Sequence, residues 1–177
     1  MPAKRRARAV VSRLTPSIRR ASCADLGAIR VIYNQGIEDR VATLDVEPKT
    51  DADIERWFAD HDGRYAVLVA ASAGEVIGWA SLNRHSRRAA HAGVADLSIY
   101  VARAARGRGV GGALMDALVE AAREGGFHKI VLFALASNEQ GRRLYRRSGF
   151  ADVGVFREHG TIDGRMVDVL AMEKVFD

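Results

Sequence analysis

The chain has a single cysteine, Cys23, among its 177 residues. That excludes an internal disulfide framework and suits a reducing cytosol. No apolar run approaches the roughly 18 residues needed to span a bilayer. The five histidines (61, 85, 91, 128 and 159) lie far apart, so neither they nor the lone thiol supply ligands at the spacing of a structural zinc site, and no metal is expected. Internal repeats and low-complexity segments are also absent. What remains is an ordinary cytoplasmic domain. Hydrophobic residues make up 48% and charged residues 28% of the chain, and its length suffices to bury most of its apolar surface in one core.

The net charge of +5 is unevenly placed. Lys4, Arg5, Arg6, Arg8, Arg13, Arg19 and Arg20 all precede Asp25, the first acid in the chain, which leaves the rest slightly net negative. Such a start could meet nucleic acid or an anionic surface, and Arg-rich, acid-poor N-termini also occur in transit peptides. It carries no aromatic residue on which a base could stack. We therefore expect a disordered basic tail over residues 1–16, a folded domain over 17–177, no specific nucleic-acid partner and no membrane partner.

Hydrophobic periodicity orders the remainder. Residues 17–22 read as a strand, and 23–40 as a helix with apolar positions at Leu26, Ile29, Ile32 and Tyr33 and a cap at Ser22 or Asp25. A loop around Pro48 leads to a second helix over 50–63, capped near Thr50 or Asp51 and stopped at Gly63. Residues 65–72 and 75–82 are apolar strands joined by Ala73-Gly74, a hairpin. A longer strand covers 91–102. The clearest helix covers 109–126 and stops at Gly125-Gly126. A strand over 128–136, a short helix over 138–149 and a terminal hairpin turning at Asp163-Gly164 complete the chain. The order βααβββαβαββ makes this an α+β chain.

The segment Gly107-x-Gly109-x-x-Gly112 matches the dinucleotide fingerprint letter for letter. A strand, a glycine turn and a helix aim backbone N–H groups at an anion, and Arg103, Arg106 and Arg108 add charge of the right sign. A phosphate-bearing ligand is expected. A nicotinamide site would open its domain and carry an acid about 20 residues on. Here the motif comes late, after a meander, and the next strand, KIVLFALAS, has no acid. GxxxxGK[ST] is missing too, which excludes a P-loop.

The pattern that fits is Arg106-x-x-Gly109-x-Gly111 directly after LSIYV, followed by Asn138-x6-Tyr145-x3-Gly149-Phe150. Together they resemble the GNAT superfamily of acetyl-CoA-dependent N-acetyltransferases. The likeness covers residues 17–175. It implies a central, mostly antiparallel twisted sheet of about seven strands flanked by about four helices. IYNQGIEDRVATLDVEP, GWASL, VADLSIYV and DGRMVDVLAME further resemble the phosphinothricin acetyltransferase subgroup, which includes enzymes acting on phosphinothricin, methionine sulfoximine or sulfone, and arsinothricin. The resemblance implies acetyl-CoA as cofactor, a small amino-acid acceptor and a homodimer.

It also implies roles. The amides of Arg106, Gly107, Arg108, Gly109, Val110, Gly111 and Gly112 would hold the CoA pyrophosphate. Leu97, Ser98, Ile99, Tyr100 and Val101 would pair with the pantetheine arm as an added strand. Asn138 and Arg142 would meet the cofactor, although Asn138 equally suits a helix N-cap. Tyr145 would supply a proton to the leaving thiolate, although its position on an amphipathic helix suits a core tyrosine as well. An α-amine is mostly protonated at neutral pH, so a carboxylate must take a proton from it. The subgroup has Glu at that position and this chain has Asp96, one methylene shorter, so a bridging water is expected. Glu38 is the reserve base. Tyr33, Thr43, Arg84, Arg87, Arg88 and Arg157 are the expected acceptor contacts, the arginines for a carboxylate or phosphinate. Asp45 belongs to the same lid-like loop as Thr43, and Gly164-Arg165 would close the far side. Trp57, Phe58 and Trp79 are expected in the core. The alternatives are a protein N-terminus, lysine or polyamine as acceptor, or a non-catalytic CoA-binding or nucleic-acid-binding module.

Overall fold

The computed structural model describes residues 12–176. The elements are β1 (Ser17–Arg20), α1 (Leu26–Glu38), α2 (Asp51–Ala59), β2 (Val67–Ser72), β3 (Glu75–Arg84), β4 (Val94–Val101), α3 (Val110–Glu124), β5 (Lys129–Leu135), α4 (Glu139–Arg147), β6 (Ala151–Ile162) and β7 (Arg165–Val175). Their order is the one the periodicity predicts. They form one seven-stranded sheet, β1-β2-β3-β4-β5-β7-β6. Every pairing is antiparallel except β4 with β5, which α3 connects as a crossover.

Local chemistry explains the boundaries. Ala73-Gly74 and Asp163-Gly164 each place two consecutive residues at positive φ (51° and 84°; 48° and 76°), the type I′ geometry that matches the twist of the strands they join. α1 starts late because Ser22 and Asp25 cap a tight turn over Cys23–Asp25. Asp25 is itself buried and takes two bonds of 2.7 Å from Arg19 on β1. That guanidinium holds the Asp25 carboxyl far below its ordinary range. β4 begins three residues later than periodicity suggests, because Ala89–His91 form a tight turn instead.

Two cores lie on opposite faces of the sheet. On one, α3 buries Val110, Leu114, Met115, Leu118 and Ala122 at helical spacing against Ala95, Leu97, Ile130 and Leu132. On the other, α1 and α2 bury Ile29, Ile32 and Ile54 against Val67, Val69 and Trp79. Trp79 is core, as expected, with Trp57 and Phe58 packed beside it. Because strand side chains alternate, Leu97, Ile99 and Val101 face α3, while Asp96, Ser98 and Tyr100 face α1 and α2.

The ordered body begins before residue 17. Leu14 packs against the α3 core, and its N–H donates to the Arg108 carbonyl at 2.9 Å. An apolar side chain with a core to cover does not stay in a solvated tail. Residues 1–11 of the expected tail lie outside the described residues.

Candidate active site

β4 and β5 pair only from Val94 to Asp96, opposite Lys129 to Val131. Beyond Asp96 the strands part, although β4 continues to Val101 and β5 to Leu135. β3 covers the other edge of β4 from Ala95 to Val101. The edge of β4 from Leu97 onward therefore faces a gap. A cavity of about 220 Å³ fills it, lined by Leu97–Tyr100, Leu132–Leu135, Tyr33, Ala42–Leu44, Asp96 and Tyr145.

Asp96 sits at the fork, and burial pushes its carboxyl up from 3.8 to about 7 against a single backbone hydrogen bond from Leu97. A carboxylate at that value can both take and release a proton near neutrality. Tyr145 on α4 is 8% exposed, and burial, followed by the nearby Tyr100 and Asp96, pushes its phenol well above its ordinary range. Its ring meets Phe150 edge-on at 6.2 Å, and its hydroxyl has no partner among the described residues. It keeps its proton at all ordinary pH. Tyr33 donates a short hydrogen bond to Asp45, and burial first, then that bond, pushes its phenol up to about 12. Thr43 accepts from the Asp45 N–H at 3.0 Å, and Lys49 pairs with Asp45 at 3.1 Å. The loop after α1 is thus tied over the cavity. Gly36 leaves room for the Tyr100 ring, which a Cβ there would meet at 2.9 Å.

The turn before α3 carries the second set of groups. Gly107 and Gly109 take φ of 73° and 92°, and Gly109 is the N-cap residue with no side-chain cap. The first-turn amides of Val110, Gly111 and Gly112 therefore lack intrahelical acceptors and are free to bind an anion. Gly111 serves another purpose. A Cβ there would lie 3.2 Å from Leu144, so it sets the approach of α4 to α3. Arg106 is turned away from the amides, donating from Nε to the Val101 carbonyl at 3.0 Å and pairing through Nη1 with Asp39.

A second cavity, about 860 Å³, opens beyond Ser98, the residue both cavities share. Trp57, His61, Asn83, Arg84, His85 and Arg87 line it. His61 bridges the Trp57 carbonyl at 2.6 Å and Asn83 at 2.9 Å, and Asn83 donates to the Ser98 hydroxyl at 3.0 Å. Arg84 lies over the Tyr65 ring at 5.4 Å.

A forked strand pair beside an amide-rich helix start suits an extended ligand that carries an anion, and comparison with known proteins narrows it. Residues 32–150 match the Acetyltransferase (GNAT) family. The chain belongs to the GNAT acetyltransferase family. It is 35% identical to an L-methionine sulfoximine/L-methionine sulfone acetyltransferase of Pseudomonas paraeruginosa, over 93% of this chain and 96% of that one. A GNAT phosphinothricin acetyltransferase from Sinorhizobium meliloti, solved with AcCoA, superposes with a TM-score of 0.88 at 30% identity, over 92% of this chain and 89% of that one. A ribosomal-protein-alanine N-acetyltransferase structure from Brucella melitensis gives 0.87 at 33%, over 90% and 99%.

This GNAT chain is an acetyl-CoA-dependent N-acetyltransferase, and its residues fit the cofactor. Gly107 and Gly112 have open space where a Cβ would stand. The β4 edge is free for an added strand, and the Nε of Arg142 is buried without a hydrogen-bond partner. When bound, acetyl-CoA supplies the activated acetyl group. Arg108 donates from Nε to the Ser12 carbonyl at 3.2 Å, and Asn138 caps α4 by accepting from the Gly141 N–H at 2.9 Å.

The expected acceptor contacts divide. Tyr33 and Thr43 line the inner cavity, and Arg84 and Arg87 the outer one. Arg88 and Arg157 are exposed and line neither. Glu38 is corrected as a reserve base: it pairs with Arg103 at 3.2 Å at the exposed end of α1, outside both cavities. Sequence reasoning missed Asn83 and His61. Asn83 stands opposite Asp96 in the β3–β4 register, so counting back along the hairpin would have found it. His61, just past α2, carries no such signal.

Proposed function

We propose that the acceptor is the α-amine of a small amino acid with a second acidic or strongly polar head, of the phosphinothricin, methionine sulfone or sulfoximine, or arsinothricin type. The supporting observation is the pairing of an inner cavity that holds Asp96 with an outer cavity that presents Arg84, Arg87 and His85 across the shared Ser98. The amine would sit at Asp96 and the anionic groups at the guanidinium groups, which favour oxyanions bidentately. Asp96 takes a proton from the acceptor at its carboxylate, directly or through water. Tyr145 holds a proton at Oη for the departing sulfur. The loop tied by Tyr33 and Asp45 excludes water from the fork.

A CoA-release assay across phosphinothricin, methionine sulfone, arsinothricin, polyamines and N-terminal peptides tests the reading. Turnover confined to the amino acids supports it, and preference for polyamines or peptides overturns it. The peptide arm has its own motive, the likeness to the Brucella structure described as acting on a ribosomal-protein alanine.

We also propose a cytoplasmic homodimer. The free thiol of Cys23 is exposed, which suits a reducing compartment. β6 forms an edge of the sheet and leaves Val153, Val155 and Phe156 exposed beside Phe133, an apolar strip of the kind a second copy covers. Light scattering of wild type and Phe156→Glu tests it: a wild-type monomer overturns the dimer, and a dimer that survives the substitution overturns this face.

A further inference from the structure

Four arginines surround the turn before α3, and they fall into two pairs. Arg103 is paired with Glu38 and Asp39, and Arg106 with Asp39. Arg108 and Arg13 have no carboxylate partner among the described residues. Arg13 arrives from the N-terminal segment, which is stitched to the turn on either side of it. The Leu14 N–H donates to the Arg108 carbonyl at 2.9 Å, and Arg108 Nε donates to the Ser12 carbonyl at 3.2 Å. Leu14 anchors the segment in the α3 core. Held between those bonds, the Arg13 side chain crosses Gly109: a Cβ on Gly109 would lie 3.2 Å from Arg13 Nε and 3.3 Å from its Cγ.

This is an unfavourable place to leave a cation. The N-terminus of α3 carries the positive end of the helix dipole, and the free amides there add partial charge of the same sign. Arg108 adds a further full charge. An anion at the amides would meet both guanidinium groups and the positive end of the helix together.

We propose that Arg13 is a cofactor-binding residue: the N-terminal segment completes the phosphate site, and its guanidinium binds the diphosphate of CoA held at the first-turn amides of α3. The inference rests on the acetyl-CoA assignment and adds a contact from outside the glycine motif. It makes the segment before β1 part of the active protein rather than an appendage.

Calorimetry on the full chain with CoA, dephospho-CoA and S-acetylpantetheine tests it. Arg13→Ala should weaken CoA and dephospho-CoA about tenfold, the scale of one solvent-exposed charge-assisted contact. Arg13→Lys should recover part of the loss, and Arg13→Glu should deepen it. Affinity for S-acetylpantetheine, which has no diphosphate, should not change in any variant, nor should the melting temperature of the free protein. Raising salt should narrow the gap between wild type and Arg13→Ala. Unchanged CoA affinity in Arg13→Glu overturns the proposal. Tighter binding in Arg13→Ala also overturns it and makes the segment a plug over the loop. A loss seen with CoA but not with dephospho-CoA moves the contact to the 3′-phosphate and overturns the diphosphate assignment. Failure of wild type to bind CoA at all defeats the cofactor assignment, and the proposal falls with it.

Discussion

The cofactor side and the acceptor side of this site are built by different means. On the cofactor side, one continuous stretch from Leu97 to Gly112 supplies a strand edge, a turn and the start of a helix. Its working groups are backbone amides, and the side chains there are small or stepped aside. On the proposed acceptor side, Tyr33, Thr43, His61, Asn83, Arg84 and Arg87 come from α1, three loops and β3. Contacts to an acceptor there would be made by side chains. Amides are presented by any sequence that folds this way, so a few glycines suffice to mark them. Side chains gathered from distant segments leave no spacing to read. The backbone cradle therefore tolerates change except where a Cβ intrudes, whereas the proposed acceptor side would depend on each side chain that lines it.

The sharpest way to break that contrast lies at the fork, where the two sides meet. Asp96→Asn should cut kcat/KM by about 10²–10⁴-fold, the usual loss for a general base, with acetyl-CoA affinity intact, while Asp96→Glu retains activity. In wild type kcat/KM should climb with pH through about 7, as the carboxyl ionises, and the Asn variant should lose that limb. Stability should move the other way. The folded chain keeps the Asp96 proton up to about 7, whereas an aspartate in the unfolded chain releases it near its ordinary 3.8. The stability this gives is complete below the lower value and is lost as pH rises to the upper. Asp96→Asn should therefore melt higher than wild type at pH 8. A stable, fully active Asn variant across pH 6–9 removes Asp96 from the chemistry.

Two glycines sharpen the cofactor side. Gly109→Val forces a branched residue to φ 92° and places its Cβ against Arg13 at the amides, so acetyl-CoA affinity should fall about a hundredfold or more by calorimetry. Gly111→Val meets Leu144 instead. It should lower the melting temperature, at about 1–3 kcal/mol for the overpacking, with the smaller effect on affinity. The reverse ranking would assign the two glycines wrongly.

On the acceptor side, Arg87→Ala should raise KM for the amino-acid acceptor about tenfold with acetyl-CoA affinity unchanged, as expected for loss of one charge-assisted contact. A fall in kcat with constant KM would contradict a binding role. Smallest of all, Glu38→Gln and Arg157→Ala should stay within about twofold of wild-type kcat/KM in steady-state assays, since surface charges outside both cavities contribute little.

Much of this molecule was legible without coordinates. Element order followed from periodicity, and both hairpin turns from Ala73-Gly74 and Asp163-Gly164, because these are local effects of side-chain spacing and backbone freedom. The glycine turn was legible for the same reason, whereas Asp96 and Tyr145 were singled out by resemblance to the family, and folding brings both to the wall of one cavity. The tertiary structure decided what depends on segments distant in the chain. It turned Arg106 toward Asp39 and Glu38 toward Arg103, since a long charged side chain goes to the nearest opposite charge, and 65 or more residues separate these partners. It placed Asn83 and His61 beside Ser98 and brought Leu14 and Arg13 onto the turn before α3. It also set the proton affinity of Asp96, which depends on how much water the fork excludes. Neighbours along the chain specify elements and backbone cradles; charge partners, burial and the gathering of side chains exist only once the strands have paired.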